Sequence, residues 1–154
     1  MNKKKKGCLF IILFFIILIV FLFFLFIQYR HFYKVGDIVF TFWKTKNGCY
    51  IMPYKYWGIT IPNNNYMKAV NTGGIVIYIG EDSTLYIFPN YTYEEGAKVI
   101  EINLFSHKYE YFPYINELNN IQAFNDKMVY YKNLGYPFID VHIRSMYVRI
   151  GKEK

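Results

Sequence analysis

One unbroken apolar run near the N-terminus constrains this chain more than any other feature. Leu9–Ile27 is a stretch of 19 consecutive residues drawn only from Leu, Phe, Ile and Val. As an α-helix it would be about 28 Å long at ~1.5 Å per residue, close to the ~30 Å hydrocarbon core of a bilayer. Lipid offers no partner to free backbone groups, so a single segment can cross a membrane only as a helix. The sequence therefore predicts a transmembrane helix over residues 8–28.

The charges on either side of the run predict its orientation. Lys3 to Lys6 precede it, whereas Arg30 and Lys34 follow it. The larger positive cluster is expected to stay in the cytoplasm, which makes residues 1–7 a cytoplasmic basic tail and residues 29–154 an extracytoplasmic domain. The predicted location is the cell inner membrane or plasma membrane, and the lipid bilayer is the predicted partner of the apolar run.

A cleaved signal peptide is the main alternative to a permanent anchor. The apolar core of such a peptide usually spans about 7–15 residues and ends at small residues. In this chain the run has 19 residues and is followed by Gln28-Tyr29-Arg30. Both features favour a signal anchor that is not cleaved.

Charge and cysteine content exclude several functional classes. The net charge of +7 divides into +5 for residues 1–30 and 13 − 11 = +2 for the rest of the chain. So small a basic excess on the folded part argues against nucleic-acid binding. The chain has only two cysteines, which excludes a disulfide scaffold. Abundant Phe, Tyr, Ile, Asn and Lys indicate AT-rich codons and a bacterial gene.

Beyond Val35, apolar and polar residues alternate as they do in strands of an antiparallel sheet. Turn residues 80–83 between two such segments predict a hairpin over residues 74–88. One face of the sheet is expected to lie on the core and the other in water. The predicted inward rows are Ile38, Phe40 and Phe42; Ile75, Ile77 and Ile79; Ile100, Ile102 and Leu104; and Ile139, Val141 and Ile143, followed after an irregularity at Arg144-Ser145 by Met146, Val148 and Ile150.

A single segment has the period of a helix. Its apolar residues recur at steps of three and four, and Gly135 suits the position just after the helix end. Two shorter helices broken near Asn125 are the alternative. The predicted fold class is α+β, with an N-terminal transmembrane helix followed by a small antiparallel-sheet domain with one helical element. The periodic residues are Ile115, Leu118, Ile121, Phe124, Met128 and Tyr131.

Two places in the domain contain residue types that carry out catalysis. Asp140 and His142 alternate on one predicted strand face, where a carboxylate and an imidazole could lie side by side. Cys49 is the only cysteine outside the apolar segment, so a Cys–His pair is conceivable. A solvated strand face and a structural cysteine are the simpler interpretations, because no nucleophile motif surrounds Cys49 and a zinc site normally needs three or four ligands. The sequence predicts no catalytic site, no metal and no cofactor.

Two short segments resemble the cell-wall cysteine peptidases and their relatives. They are Gly36-Asp37-Ile38-Val39-Phe40 and Tyr56-Trp57-Gly58-Ile59, nine residues in all. Tyr56 stands where the family pattern would need a histidine, and no cysteine lies at a useful place. At most, the resemblance implies a relative without catalytic residues.

The stretch from Tyr50 to Tyr66 has the most unusual composition in the domain. Aromatic rings supply large, rigid contact areas that can bind glycans or a protein. Core filling together with codon bias is the alternative explanation. The candidate binding residues are Tyr50, Tyr54, Tyr56, Trp57 and Tyr66.

These observations lead to two functional hypotheses. The first is a single-pass, non-enzymatic membrane protein that binds a protein partner, as an envelope assembly factor or an immunity-type protein would. The second is a membrane-anchored hydrolase that uses Cys49 or the Asp140/His142 pair.

Overall fold

The structure, a computed structural model, describes residues 3–27, 30–70, 73–90, 98–113 and 118–152. Their order is one long helix, eight strands, a second helix and a C-terminal pair of strands. The bounds are α1 (Lys3–Ile27), β1 (Arg30–Val35), β2 (Ile38–Thr45), β3 (Gly48–Met52), β4 (Tyr66–Val70), β5 (Gly74–Ile79), β6 (Leu85–Asn90), β7 (Lys98–Asn103), β8 (Tyr109–Tyr111), α2 (Leu118–Asn133), β9 (Pro137–His142) and β10 (Tyr147–Lys152).

The strands of the described residues form two five-stranded sheets. Sheet A has the order β1-β2-β3-β4-β7 and sheet B the order β10-β9-β5-β6-β8. Within the described residues, the β6–β8 pair is parallel and the other pairs are antiparallel. The predicted α+β class and antiparallel pairing are confirmed. The prediction of a single sheet is wrong, because the inward rows of two sheets pack on each other in one core.

That core contains the inward rows of both sheets. Phe40 and Phe42 of sheet A and Ile77 and Ile139 of sheet B are fully buried in it. Two predicted inward residues are instead exposed. Ile100 is 47% exposed because the β4–β7 register shifts beside it, pairing Ala69 with Val99. Ile150 is 44% exposed because it lies on β10, which is an edge strand of sheet B.

The outer faces of both sheets are largely covered, so the prediction of a wetted face is wrong. α2 packs Phe124, Met128 and Tyr131 against the outer face of sheet B. Aromatic side chains cover the outer face of sheet A. Both faces are covered because the strands carry large apolar side chains at their outward positions as well as at their inward ones. Burying them removes apolar area from water on both sides of each sheet.

The local predictions for the C-terminal third are mostly confirmed. α2 is one continuous helix, so the alternative of a break near Asn125 is wrong. Gly135 follows it with a φ of 68°, and its N–H donates to the carbonyl of Lys132. The expected irregularity is the turn 143–146, in which Met146 has a φ of 52°. Ile115 lies outside the described residues.

Helix α1 contains the apolar run. Its described side chains, those of residues 10–22, are all exposed. Over the described part of the chain, no helix is identified as both long enough and apolar enough to cross a membrane. The transmembrane helix gains no support from this finding and stays a prediction.

Candidate functional site

The outer face of sheet A carries the candidate site. Trp43 and Tyr50 on β2 and β3, with Met52 and Tyr66, form a buried layer. We call this set, with the partly buried Tyr54 and Tyr56 that pack on it, the outer aromatic layer. Residues 53–65, the β3–β4 loop, run across it. The side chains of the layer point away from the inter-sheet core because they occupy the strand positions that alternate with the inward rows.

A buried threonine fixes the start of the loop. The hydroxyl of Thr41 on β2 donates to the carbonyl of Tyr54 at 2.6 Å and accepts the N–H of Tyr56 at 3.0 Å. The hydroxyl of Tyr56 donates to the carbonyl of Thr60 at 2.6 Å. These bonds satisfy backbone groups that would otherwise need water, and they restrain residues 54–60 of the loop.

Arg30, the first residue of β1, clamps the middle of the loop. It is buried, and its Nη2 donates to the carbonyl of Gly58. Its guanidinium lies 4.1 Å from the Trp43 ring centroid and 5.8 Å from that of Tyr56. Burial lowers the pKa of Arg30 below its ordinary value. Its Nε has no hydrogen-bond partner among the described residues, so ring stacking and the Gly58 bond hold the side chain.

The five predicted aromatic residues divide into a packed group and an exposed one. Tyr50 and Tyr66 are buried, whereas Tyr54 and Tyr56 are partly buried. The Tyr66 hydroxyl donates to the Glu101 carboxylate, and this bond is the main reason that its pKa rises to about 12. These four tyrosines pack against sheet A, and their role in binding stays a prediction.

Trp57 is the exposed member, and two isoleucines join it. Trp57 is 51% exposed, Ile59 69% and Ile61 44%. We call these three residues the loop tip. Neither isoleucine was among the predicted binding residues. Their spacing of two residues from Trp57 and from each other is the pattern that could have pointed to them.

Two further residues, which were not among the predicted binding residues, contact Trp57. The ring of Phe32 on β1 lies 4.5 Å from the Trp57 ring, centroid to centroid. The ammonium of Lys55 lies 5.1 Å from the Trp57 centroid and 5.8 Å from that of Phe32. The loop tip is therefore apolar, with a cation beside it.

Cys49 is not placed for nucleophilic chemistry. It is fully buried in the core between the sheets, on β3 opposite Ala69. Burial raises the pKa of its thiol to about 12, which leaves almost no thiolate near neutral pH.

Thiol labelling of the folded chain should show this burial. With Cys8 replaced by Ser, the chain has Cys49 as its only thiol. We expect a water-soluble disulfide reagent to leave the folded protein unmodified and to react once urea unfolds it. Fast labelling of the folded protein would show that Cys49 is accessible and would reopen the hydrolase hypothesis.

Asp140 and His142 lie on one strand but bind different neighbours. Asp140 pairs with Arg149 across the β9–β10 hairpin at 3.4 Å, and burial raises the pKa of its carboxyl. His142 Nδ1 lies 2.8 Å from the Ser145 hydroxyl, and the Ser145 N–H also points to it at 3.5 Å. The Ser145 hydroxyl in turn accepts the N–H of Tyr147. The histidine thus closes the 143–146 turn.

The domain also has a cavity between turns of its two sheets and the end of α2, lined in part by acidic side chains. Its volume is about 260 Å³, and it lies beside Asp37, Glu81 and Gly135. The described residues contain no group of three or more His, Cys, Asp or Glu side chains that could hold a metal ion.

Comparisons with protein families, with curated proteins and with solved structures find no match to this chain. The resemblance to cell-wall cysteine peptidases gains no support from them. Its second segment, Tyr56-Trp57-Gly58-Ile59, is part of the β3–β4 loop.

Proposed function

We propose that this chain is a single-pass, membrane-anchored, non-enzymatic interaction protein whose two-sheet domain lies outside the cytoplasm. Its partner would be a protein of the cell envelope, as for an assembly factor or an immunity-type protein that neutralises a toxin. The observation that carries the proposal is the loop tip, where three apolar side chains of a well-packed domain remain exposed.

The proposed anchor rests on the sequence of α1 and on the exposure of its described side chains. α1 is continuous from Lys3 to Ile27 and includes the whole apolar run. Its described side chains, residues 10–22, are exposed Leu, Ile, Phe and Val. Covering one such side chain contributes roughly 1.5–3 kcal/mol, so a helix of this composition favours lipid over water.

The interaction role is supported by how the loop tip is held. Single exposed apolar residues are common, but a group of them indicates a surface that contacts a protein or a membrane. Thr41 and Arg30 fix the loop before any partner arrives. A surface fixed in advance loses little conformational entropy on binding.

The rival is a membrane-anchored hydrolase that uses Cys49 or the Asp140/His142 pair. The geometry disfavours it, because the Cys49 thiol is buried and the His142 Nδ1 is engaged in a turn. Replacing Cys49, His142 and a further histidine of the domain, His107, by Ala should leave the cellular effect of the protein intact if it is an interaction protein that still folds. A hydrolase should lose that effect.

Membrane extraction of the full chain tests the anchor. We expect the chain to stay with membranes at alkaline pH. A reporter enzyme that is active only outside the cytoplasm should be active when it is fused after Lys154. Leu13→Arg with Val20→Arg should release it, since each Arg near a helix centre opposes insertion by about 2.5–3.5 kcal/mol. Phe105→Arg, at an exposed residue of the domain, is the matched control. A mature protein that begins after residue 27 would contradict the anchor.

A further inference from the structure

The loop tip is connected to the end of the apolar helix by a short stretch of chain. Arg30, whose guanidinium donates to Gly58 in the middle of the loop, lies three residues after Ile27. A chain extends at most about 3.3–3.6 Å per residue, so the backbone of Arg30 is within about 11 Å of the helix end. The Phe32–Trp57 contact, at 4.5 Å, joins the same strand end to the loop tip.

The dimensions of a bilayer indicate how far from the hydrocarbon this short connection can place Arg30. The polar interfacial regions bring a bilayer from about 30 Å of hydrocarbon to about 40–45 Å in all, so each is roughly 5–8 Å thick. If Ile27 lies at the hydrocarbon boundary, Arg30 is in or just above the outer interface. The residues that Arg30 and Phe32 hold are then at the level of the headgroups.

The chemistry of the loop tip suits that level. Tryptophan is enriched at membrane–water interfaces, because its ring is apolar while its N–H remains hydrated. Ile59 and Ile61 add apolar surface, and Lys55 places a cation 5.1 Å from the Trp57 ring centroid. Lysine beside apolar residues can snorkel to phosphate groups.

We propose that the loop tip, Trp57 with Ile59 and Ile61, inserts into the outer lipid interface beside the helix that anchors the chain. Lys55 faces the lipid phosphates, and Arg30 and Phe32 hold the tip in place. The domain then has two attachments to one membrane, which fixes its orientation. The exposed apolar surface of the loop tip contacts lipid in this arrangement, and the protein partner of the proposed function binds another surface of the domain. This inference rests on the proposed anchor.

Tryptophan fluorescence can test the inference, because the chain has only two tryptophans. Trp43→Phe, which keeps an aromatic ring against Arg30, leaves the exposed Trp57, whereas Trp57→Phe leaves Trp43, which is only 8% exposed. Each full-length variant is reconstituted into phosphatidylcholine vesicles that carry a nitroxide lipid labelled near the headgroup or near the chain end. We expect the shallow label to reduce Trp57 emission roughly twofold and to act less on Trp43. The deep label should be the weaker quencher of Trp57.

The outcomes separate this inference from the anchor. Vesicle flotation reports whether the chain is inserted. A chain that does not float overturns both the anchor and the inference. A chain that floats while Trp57 is quenched no more than Trp43 overturns the inference alone. Cross-linking of position 57 to a protein in native membranes, without lipid quenching, would assign the loop tip to a protein partner instead. Circular dichroism of both variants checks that the fold is retained.

Discussion

Replacing Phe42 by Ala is expected to lower the free energy of unfolding by about 3–5 kcal/mol. Phe42 is fully buried between the sheets, and its ring lies 5.7 Å from that of Tyr33 and 6.3 Å from that of Phe40, centroid to centroid. Its loss removes buried apolar area and leaves a cavity that two rigid sheets cannot close. Urea unfolding of the full chain in detergent micelles, followed by fluorescence, measures the change.

The matched control is Phe105→Ala. Phe105 is 79% exposed, so its replacement should change the free energy of unfolding by less than about 0.5 kcal/mol. Equal losses from the two variants would mean that the face assigned to Phe42 is not the core face.

Replacing Arg30 by Ala is expected to cost about 2–3 kcal/mol and to loosen the β3–β4 loop. A hydrogen bond from a charged donor contributes about 1.5–3 kcal/mol, and a desolvated cation–π contact contributes about 2 kcal/mol. The burial cost of the guanidinium, which also lowers its pKa, offsets part of that sum. Trypsin cleavage after Lys55 should become faster in the variant, because the carbonyl of Gly58 loses its donor.

Two variants control this result. Arg149→Ala removes an arginine that is 60% exposed and paired with Asp140, so it should cost under about 1 kcal/mol. Arg30→Lys keeps the charge but loses the planar stack on Trp43, so it should only partly restore stability. Unchanged trypsin cleavage in Arg30→Ala would show that Arg30 does not hold the loop.

Local patterns predicted the inward rows because period-two alternation assigns residues to opposite faces of a strand. The rows around Phe40, Ile77 and Ile139 all lie in the core. The Gly135 turn and the 143–146 turn also follow from short-range rules. Ile100 escaped the rule because its exposure depends on a register shift between β4 and β7, which no local pattern encodes.

The candidate site was less predictable than the fold. The density of aromatic residues drew attention to the right segment, but it could not say which rings pack and which remain exposed. That distinction depends on Arg30 and Thr41, which lie far from the loop in sequence and are brought under it by strand pairing. Charge pointed to Arg30 only as a residue that flanks the apolar run, and no local pattern pointed to the contact of either residue with the loop.

The position of β5 has a consequence for how the domain is assembled. All six of its residues are buried, and it lies between β6, its neighbour in sequence, and β9, which pairs Ile139 with Ile77. Sheet A can form largely from consecutive hairpins, whereas β5 has an open side until β9 arrives. An apolar strand with an unpaired edge invites self-association. Fragments that end before β9 should therefore be prone to aggregation. The C-terminal β9–β10 hairpin completes sheet B by pairing with the open edge of β5.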